Sequence, residues 1–493
     1  MRNILSLSVV ALLTISLAGC GENKEKTVST DDKNIIKTSV GDFKMNGEMP
    51  AKESLEKIYR QLDLQQATQA YFWALPFVSY AQYQYVTANT FKATPSDLVM
   101  FLSLEDRYGI LTANATTPYI YTFWDMVKTG PIVIDMPAGH VAGGLTDLWQ
   151  RNIISVGELS PDKGLGAKYL VIPPGSDIKA KSGYNIINTD VTNVFFGIRL
   201  LDPDINKGME LLRKLKVYPY SQAANPPETR ILRPEGKRAN AWQPSGMAYW
   251  ERLHAAIQDE TVAERDRFYY AMLRNAGIEK GKPFAPTEYQ KSILEEAAIL
   301  GELMAKANSF DRRFEGIKQW PDRKWEHAIA MHNSAQRAEN YDELNERAAW
   351  FYEAITFSDA MISKTPGQGQ AYLGSYTDVS GAWLDGGKNY TLHVAANPPA
   401  ANFWSFTVYD CTTRCLIEND QKRTDLSART EGLVKNADGS YDLYFGPKAP
   451  AGKDSNWVQT LPRKHWFAYF RLYGPTEPYF DKSWKMDDIT ETK

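Results

Sequence analysis

Two groups of polar and aromatic residues lie in predicted loops and in strands next to loops. Of all the residues in the sequence, these have the side chains best suited to recognise a ligand. The first group consists of Asn114, Thr117, Tyr119, Tyr121, Trp124 and Asp125. Its tyrosine hydroxyls could orient a substrate in a cleft, with Asp125 polarising the substrate or acting as a base. The alternative is a turn followed by a strand whose aromatic side chains fill a core.

The second group lies in the last quarter of the chain and consists of Asn419, Arg423, Arg429, Asn456 and Trp457. Guanidinium groups bind carboxylates and sulfates through paired hydrogen bonds, so these residues could line an arginine pocket with Trp457 stacking on a ring. The alternative is a set of hydrogen bonds that lock the loops in place.

Motifs of known catalytic sites are absent from the sequence. The sequence contains no Gly-x-Ser-x-Gly nucleophile elbow of the serine-hydrolase type. The Ser-x-x-Lys motif of penicillin-binding enzymes has two matches, at Ser160 and Ser176, but both lie in turns. In those enzymes a Lys-Thr-Gly triplet follows the serine, whereas here Lys128-Thr129-Gly130 precedes both matches. His327 and His332 would point to different faces of a helix, which does not suit a metal-binding pair. We therefore predict no metal and no cofactor, and we assign no catalytic residue.

The first 20 residues read as an export signal. Arg2 precedes an apolar run from Ile4 to Leu17, which as a helix would rise only about 21 Å, against about 30 Å for a bilayer core. The run ends in Leu17-Ala18-Gly19-Cys20, which resembles the lipobox of bacterial lipoproteins. That resemblance implies removal of residues 1–19, lipidation of Cys20 and, since Gly21 follows, anchoring in the outer membrane. The alternative is an ordinary secretory signal with an incidental cysteine.

Cys411 and Cys415 are the two other cysteines, separated by three residues that suit a short hairpin loop. We predict a disulfide between them in an exported protein, with two free thiols as the alternative.

The composition excludes some classes of function. Among 493 residues, 56 are Lys or Arg and 59 are Asp or Glu, so the net charge of −3 does not suit a nucleic-acid-binding protein. The 13 Trp, 27 Tyr and 20 Phe residues suit either large sandwich cores or flat stacking surfaces for a ligand.

The elements that must position these residues fall into successive ranges. After the signal peptide (1–19), residues 20–55 are polar and read as the lipidated cysteine with a flexible tether. Residues 56–240 and 363–493 show short alternating runs such as Ile132–Met136, Trp404–Tyr409 and Trp466–Tyr473, which predict β domains. Helical spacing over 241–362 predicts three or four helices. The predicted fold class is mainly β, with two β-sandwich or jelly-roll-like domains separated by helices.

The C-terminal range resembles domain of unknown function 1214. The resemblance rests on Trp404–Asp410, Asn419, Arg423, Arg429, Asp438-Gly439-Ser440, Asn456-Trp457 and Arg471–Pro475, in that order. The stretches Thr117–Tyr121 and Gly130–Val133 resemble its usual partner, domain of unknown function 1254. The resemblance implies two β domains with helices between them, often in exported bacterial proteins, and no agreed activity. The family commonly has Asn-Asp where this sequence has Ala115-Thr116. An acid or base role of that Asp therefore cannot be assigned to this chain.

These observations lead to three hypotheses. The first is a lipid-anchored envelope protein that binds or processes a glycan or another hydroxyl-rich or acidic ligand. The second is a non-catalytic structural or interaction lipoprotein, and the third is an ester or amide hydrolase with an unrecognised nucleophile. The expected partners are the membrane, through the lipid anchor, and a small acidic molecule or glycan, without nucleic acid; the sequence is compatible with an oligomer.

Overall fold

The structure of the protein is a computed structural model that describes residues 34–158, 160, 162–179, 182–202 and 204–492. The predicted signal peptide 1–19 and the predicted lipidation site Cys20 lie outside the described residues. The chain divides into two compact units, Met1–Leu62 and Asp63–Lys493. Within the described ranges, no helix combines the length and the apolar character needed to span a membrane.

The described part of the first unit contains a small antiparallel sheet and the start of a long helix. The strands are β1 (Ile35–Thr38), β2 (Gly41–Asn46) and β3 (Met49–Pro50), in that order across the sheet. The predicted flexible tether over 20–55 is therefore wrong for residues 35–50, and residues 20–33 lie outside the described residues. The hairpin signal is Asn46-Gly47, where Gly47 adopts a φ of +61° at the turn between β2 and β3.

Helix α1 (Lys52–Asn89) is 38 residues long and occupies the start of the range that the sequence predicts as a β domain. From Leu64 onward many of its residues are buried, among them Trp73, Phe77 and Tyr80. A helix enclosed by protein has no wide polar face, so its sequence lacks the amphipathic period by which helices are recognised. The prediction of β structure from residue 56 is wrong up to Asn89, and burial explains the error over residues 70–81, whereas residues 55–59 are exposed.

Two sheets follow α1. Their strands are β4 (Asp97–Phe101), β5 (Tyr119–Asp125), β6 (Ile132–Met136), β7 (Val141–Asp147), β8 (Asn152–Gly157), β9 (Ala167–Ile172), β10 (Asn185–Asn188), β11 (Asn193–Leu200), β12 (Lys216–Pro219) and β13 (Arg230–Leu232), with helices α2 (Met126–Thr129) and α3 (Ile205–Lys214) among them. The larger sheet has the order β13-β4-β5-β11-β7-β8, and the smaller has the order β10-β9-β6-β12.

The helical segment contains four α-helices in the described chain, α4 (Met247–Asp259), α5 (Arg267–Asn275), α6 (Glu288–Phe310) and α7 (Leu344–Glu353), which confirms the predicted three or four. Thr287 and Gln290 form a capping box that starts α6. The short strand β14 (Glu326–His327) lies between α6 and α7 and pairs with the sheet that follows.

The C-terminal region again contains two sheets. Its elements are β15 (Gln370–Ser375), β16 (Asn389–Val394), β17 (Ala400–Asp410), β18 (Asp425–Ser427), β19 (Tyr441–Gly446), β20 (Trp457–Gln459), β21 (Trp466–Pro475), α8 (Glu477–Phe480) and β22 (Thr490–Thr492). The sheet orders are β14-β15-β21-β17-β18 and β20-β19-β16-β22. The predicted fold class, mainly β with a helical segment between two sandwich-like regions, is confirmed.

Strand alternation divides the core of the second unit. One face of each larger sheet packs against its smaller partner sheet, as Ile120 does in the N-terminal pair and Phe470 in the C-terminal pair. The opposite faces, with Tyr121 and Tyr469, pack into a third core that also contains α1 and the helical segment. Both faces of the two larger sheets are therefore buried.

The predicted disulfide is wrong, because Cys411 and Cys415 are free thiols in the structure. Tyr409 pairs with Leu416 across the turn, and the backbone N–H of Asp410 donates to the carbonyl oxygen of Cys415 at 3.0 Å. This register places Asp410, not Cys411, opposite Cys415. Burial raises the pKa of both thiols, which keeps them protonated.

Candidate functional site

Asn114, Thr117 and Tyr119 from the first predicted group lie together in the structure. The side-chain oxygen of Asn114 accepts hydrogen bonds from the backbone N–H groups of Thr116 at 3.0 Å and Thr117 at 2.9 Å. The Asn114 amide donates to the Tyr119 hydroxyl at 2.8 Å, and its backbone N–H donates to the same oxygen at 3.0 Å. The loop is thus locked, and it holds the phenol of Tyr119 in one position.

The other three members of the first group serve the fold. Tyr121 is buried in the third core, and the indole N–H of Trp124 donates to the carbonyl of Pro95 at 2.8 Å. Asp125 caps α2 by accepting from the backbone N–H of Val127 at 3.1 Å. Trp124 and Asp125 also line a cavity of about 370 Å³, where Lys128 forms ion pairs with Asp125 and with Asp259.

Four members of the second predicted group lock neighbouring loops. Asn419 donates to the carbonyls of Arg423 at 2.7 Å and Gln459 at 2.8 Å, and Arg423 donates to the carbonyl of Asp454 at 2.9 Å. Asn456 and Trp457 likewise hydrogen bond to backbone groups. Arg429 lies apart from them, exposed, with its guanidinium 3.7 Å from the ring centroid of Phe403.

Strand β21 carries a polar row that the sequence pattern does not single out as a site. Alternation points Arg471 and Tyr473 to the same side as Tyr469, away from the C-terminal sandwich core. In the sheet register Arg471 stands between Tyr372 on β15 and Ser405 on β17. Its guanidinium lies 5.1 Å from the Tyr372 ring centroid, which is within cation–π range.

Strands β5 and β11 supply the opposite wall. Their register pairs Ile198 with Ile120, so Arg199 and Tyr119, the next residues along, share one face of the sheet. The Arg199 guanidinium lies 5.7 Å from the Tyr119 ring centroid. Tyr372 and Tyr473 of the C-terminal sheet are also close to Arg199, close enough to raise the pKa of its guanidinium.

A loop of the N-terminal region joins the two walls. The Arg471 guanidinium donates to the carbonyl of Thr112 at 2.9 Å and to the hydroxyl of Thr407 at 3.1 Å, and the Tyr409 hydroxyl donates to the carbonyl of Ala113 at 2.9 Å. Thr112 has a φ of +36°, which is strained for a β-branched residue. The strain marks a loop conformation that these contacts hold in place.

We call this arrangement the junction crevice. It comprises Arg107, Tyr119, Arg199, Tyr372, Asp425, Arg471 and Tyr473. Arg199 and Asp425 are surrounded by protein, yet both keep part of their surface accessible to water, as does Tyr119. Arg107, Tyr372, Arg471 and Tyr473 are buried, so Tyr119, Arg199 and Asp425 form the accessible edge of the crevice.

The junction crevice is rich in hydrogen-bond donors. In the described part of the chain, no carboxylate oxygen lies within 4.0 Å of the guanidinium groups of Arg107, Arg199 or Arg471. The buried hydroxyl of Tyr473 has no hydrogen-bond partner, and neither does the Nε of Arg107. Burial raises the pKa of Tyr473 to about 12, so the phenol keeps its proton and remains a donor.

One carboxyl group, that of Asp425, faces this set of donors. Burial raises its pKa to about 6, although Arg107, Arg471 and Arg423 act in the opposite direction. Asp425 lies opposite Thr407 in the register of β17 and β18, on the face that carries Arg471. With three guanidinium groups and one carboxyl, the crevice has an excess of positive charge that suits an anion.

The residues of the crevice do not suit a metal ion. Among the described residues, no group of three or more His, Cys, Asp or Glu side chains is close enough to hold a metal ion. Guanidinium groups repel a cation, and both guanidinium N–H and phenol O–H groups donate hydrogen bonds to oxyanions.

Sequence reasoning assigned Tyr119 to a site but missed Arg199, Arg471, Tyr473 and Asp425. A signal for the two arginines was present, because each is a lone charge in an otherwise apolar strand: Asn193–Leu200 for Arg199 and Trp466–Pro475 for Arg471. A charged residue inside a buried strand needs a partner or a ligand.

Two protein-family models match the chain. Residues 98–219 match the model described as "Protein of unknown function (DUF1254)", and residues 369–477 match "Protein of unknown function (DUF1214)". Arg107, Tyr119 and Arg199 lie in the first match, and Tyr372, Asp425, Arg471 and Tyr473 lie in the second. The crevice is therefore built from both.

Two solved structures are similar to this chain. The VPA0106 protein from Vibrio parahaemolyticus aligns with a TM-score of 0.52 at 16% identity, covering 87% of this chain and 100% of that one, which supports a shared fold alone. An uncharacterised protein from Burkholderia cenocepacia aligns with a TM-score of 0.37 at 11% identity, covering 88% of this chain and 96% of that one. No curated protein matches the sequence.

Proposed function

The chain belongs to the proteins that carry DUF1254 and DUF1214 in tandem, and we propose that its junction crevice binds a small acidic ligand that bears hydroxyl groups, such as a uronate. The observation that carries the proposal is the unpartnered, buried hydroxyl of Tyr473 beside Arg471 and Arg199. A buried donor without an acceptor is costly by about 1–3 kcal/mol, and an anionic oxygen in the crevice would remove that cost.

The proposal also rests on how the donors are arranged. Arg471 and Arg199 come from facing walls, so a carboxylate or sulfate between them would contact both domains. The Tyr119 hydroxyl accepts two hydrogen bonds from Asn114, which leaves its own O–H free to donate. Phenol and serine hydroxyls such as Ser405, also buried without a partner, suit the hydroxyl groups of a sugar acid.

Thermal unfolding of the full chain in detergent tests this function. We expect glucuronate to raise the melting temperature, because a ligand at 100 times its Kd adds about 2.7 kcal/mol to the stability of the folded state. Glucose, which lacks the carboxylate, should raise it less. In Tyr473→Phe the glucuronate shift should shrink, because only the hydroxyl is removed.

Tyr80→Phe is the matched control, since Tyr80 is also a buried tyrosine whose hydroxyl has no partner, and it lies in α1 outside the crevice. The control should keep the full glucuronate shift. No shift with glucuronate or sulfate, or an equal loss in both variants, would contradict the proposed function.

We also propose that the protein is exported and anchored to the outer membrane through a lipid on Cys20. The support is the lipobox-like Leu17-Ala18-Gly19-Cys20 after a short apolar run. Metabolic labelling with a palmitate analogue should label the chain but not Cys20→Ala. Unlabelled wild-type chain, or label that persists in Cys20→Ala, would contradict the anchor.

A further inference from the structure

A second cavity of about 470 Å³ lies beside the C-terminal sheet, half-open to solvent. Its walls are largely apolar and include Ile329, Met331, Met361, Ile362 and Phe480. A volume of this size holds a small organic molecule, and methionine side chains adapt to ligands of different shape.

The deeper polar groups of this cavity carry no charge. His327 lies on β14, and its ring nitrogen is 3.4 Å from the hydroxyl of Tyr479. Burial, together with nearby Lys482 and Arg312, lowers the pKa of His327 to about 4, so the imidazole is neutral at physiological pH. Burial also raises the pKa of Tyr479. The cavity interior therefore suits an uncharged molecular body.

Two lysines stand at the exposed side of the cavity. Lys364 donates to the carbonyl of His332 at 3.1 Å, and Lys482 is close enough to His327 to act on its pKa. Both side chains are exposed, and no carboxylate of the described chain lies within 4.0 Å of either ammonium group. His332 itself is paired with Glu343, so the unpaired charge at this rim is positive.

We propose that this cavity is a second binding site, for a monocarboxylic acid with an apolar body, whose carboxylate lies between Lys364 and Lys482 and whose body contacts Met331, Met361 and Ile362. Charge complementarity selects this class, because the interior offers apolar surface and the rim offers two lysines without a carboxylate partner. The cavity shares Tyr372 with the junction crevice but contains none of Arg199, Arg471 or Tyr473, and the proposal does not depend on the function proposed for the crevice.

Calorimetric titration of the full chain tests the proposal with octanoate, octanamide and acetate as probes. Octanoate should bind measurably, and octanamide should bind about tenfold more weakly because it has no charge. Acetate should bind most weakly because it has no alkyl chain to contact the apolar walls. The double variant Lys364→Gln/Lys482→Gln should bind octanoate about as weakly as octanamide, and Ile362→Trp should weaken both longer probes by filling the cavity.

Two control variants check that octanoate binds in this cavity and not elsewhere on the chain. Lys448→Gln removes an exposed lysine that does not line the cavity, and it should leave octanoate binding unchanged. Tyr473→Phe should also leave it unchanged, which distinguishes the cavity from the junction crevice. The proposal is overturned if octanoate and octanamide bind equally, if octanoate does not bind, or if either control weakens binding as much as the double variant.

Discussion

Two buried networks in the second unit, around Arg312 and Arg471, contain the same kinds of side chain. They differ in whether the hydrogen-bond donors find enough acceptors. Arg312 donates to the carbonyls of Ser309, His327 and Ala328 at 2.6–2.8 Å, to Glu353 and to the Tyr376 hydroxyl. Arg471, in the junction crevice, has a threonine hydroxyl and one carbonyl as acceptors and no carboxylate.

The tyrosines of the two networks differ in the same way. Tyr376 accepts from Arg312 and donates to Glu353 at 2.8 Å, so its hydroxyl is fully used, and Tyr469 also donates to Glu353. The hydroxyl of Tyr473 has no hydrogen-bond partner. A network that satisfies every member holds the fold together, whereas one that is short of acceptors leaves donors that water or a bound oxyanion could satisfy.

The largest expected effect comes from breaking the closed network. Glu353→Gln leaves the fully buried Arg312 without its counter-charge, and we expect a loss of about 3–5 kcal/mol in the free energy of unfolding. Urea unfolding measures it. A loss below about 1 kcal/mol would show that the Arg312 network does not support the fold. The distinction between a structural network around Arg312 and a binding network around Arg471 would then be wrong.

The next effect concerns ligand affinity. Arg199→Gln should weaken glucuronate binding about 10–100-fold, equivalent to about 1.4–2.7 kcal/mol. The free energy of unfolding should change by less than about 1 kcal/mol, because no carboxylate loses a partner.

Calorimetric titration measures the affinity of this variant. Arg252→Gln is the matched control, since Arg252 is another half-buried arginine, 3.6 Å from the Tyr85 ring centroid. If Arg252→Gln weakens binding as much as Arg199→Gln, the crevice is not the binding site.

A pH dependence follows from Asp425. Burial raises its folded-state pKa from 3.8 to about 6, so the folded state binds the proton more tightly than the unfolded state does. Stability is therefore greatest below pH 4 with respect to this group and falls as the pH rises through about 6. Asp425→Asn should gain about 1–2 kcal/mol over the wild type at pH 7.5 and nothing at pH 3.5, by urea unfolding.

The same titration should appear in ligand binding. Sulfate, whose charge is constant in this range, should bind more tightly below pH 6 because neutral Asp425 no longer competes for the arginines. In Asp425→Asn this pH dependence should disappear. Persistence of the dependence in the variant would assign it to another group.

The smallest effect is a pair of hydroxyl deletions without ligand. Tyr376→Phe should cost about 1–2 kcal/mol in the free energy of unfolding, because Glu353 and Arg312 each lose a hydrogen bond. Tyr473→Phe should cost less than about 0.5 kcal/mol or stabilise the protein slightly, because its hydroxyl has no partner to lose. Equal losses in the two variants would remove the distinction between the networks.

Much of the strand structure is readable from the sequence. Alternation predicts the strands over Ile132–Met136, Trp404–Tyr409 and Trp466–Tyr473, and all three form. These features succeed because they depend on neighbours a few residues apart.

Helix α1 and the cysteines show where local reasoning stops. Burial of nearly every residue from 70 to 81 removes the amphipathic period from the middle of α1, so this stretch does not look like a surface helix. The spacing of Cys411 and Cys415 suits a disulfide, but the register of the turn puts Asp410 opposite Cys415. In both cases the deciding contacts come from packing that no short segment contains.

The sequence by itself determined the two β regions, the helical segment between them and the resemblance to the tandem domains. Only the tertiary structure decided which side chains form a site. Tyr119 and Arg199 belong to one sheet and Arg471 and Tyr473 to another, more than 250 residues apart along the chain for Arg199 and Arg471. These side chains come together because both faces of each large sheet are buried. Alternation alone cannot indicate this, since a polar residue in a strand usually indicates a solvent-exposed face.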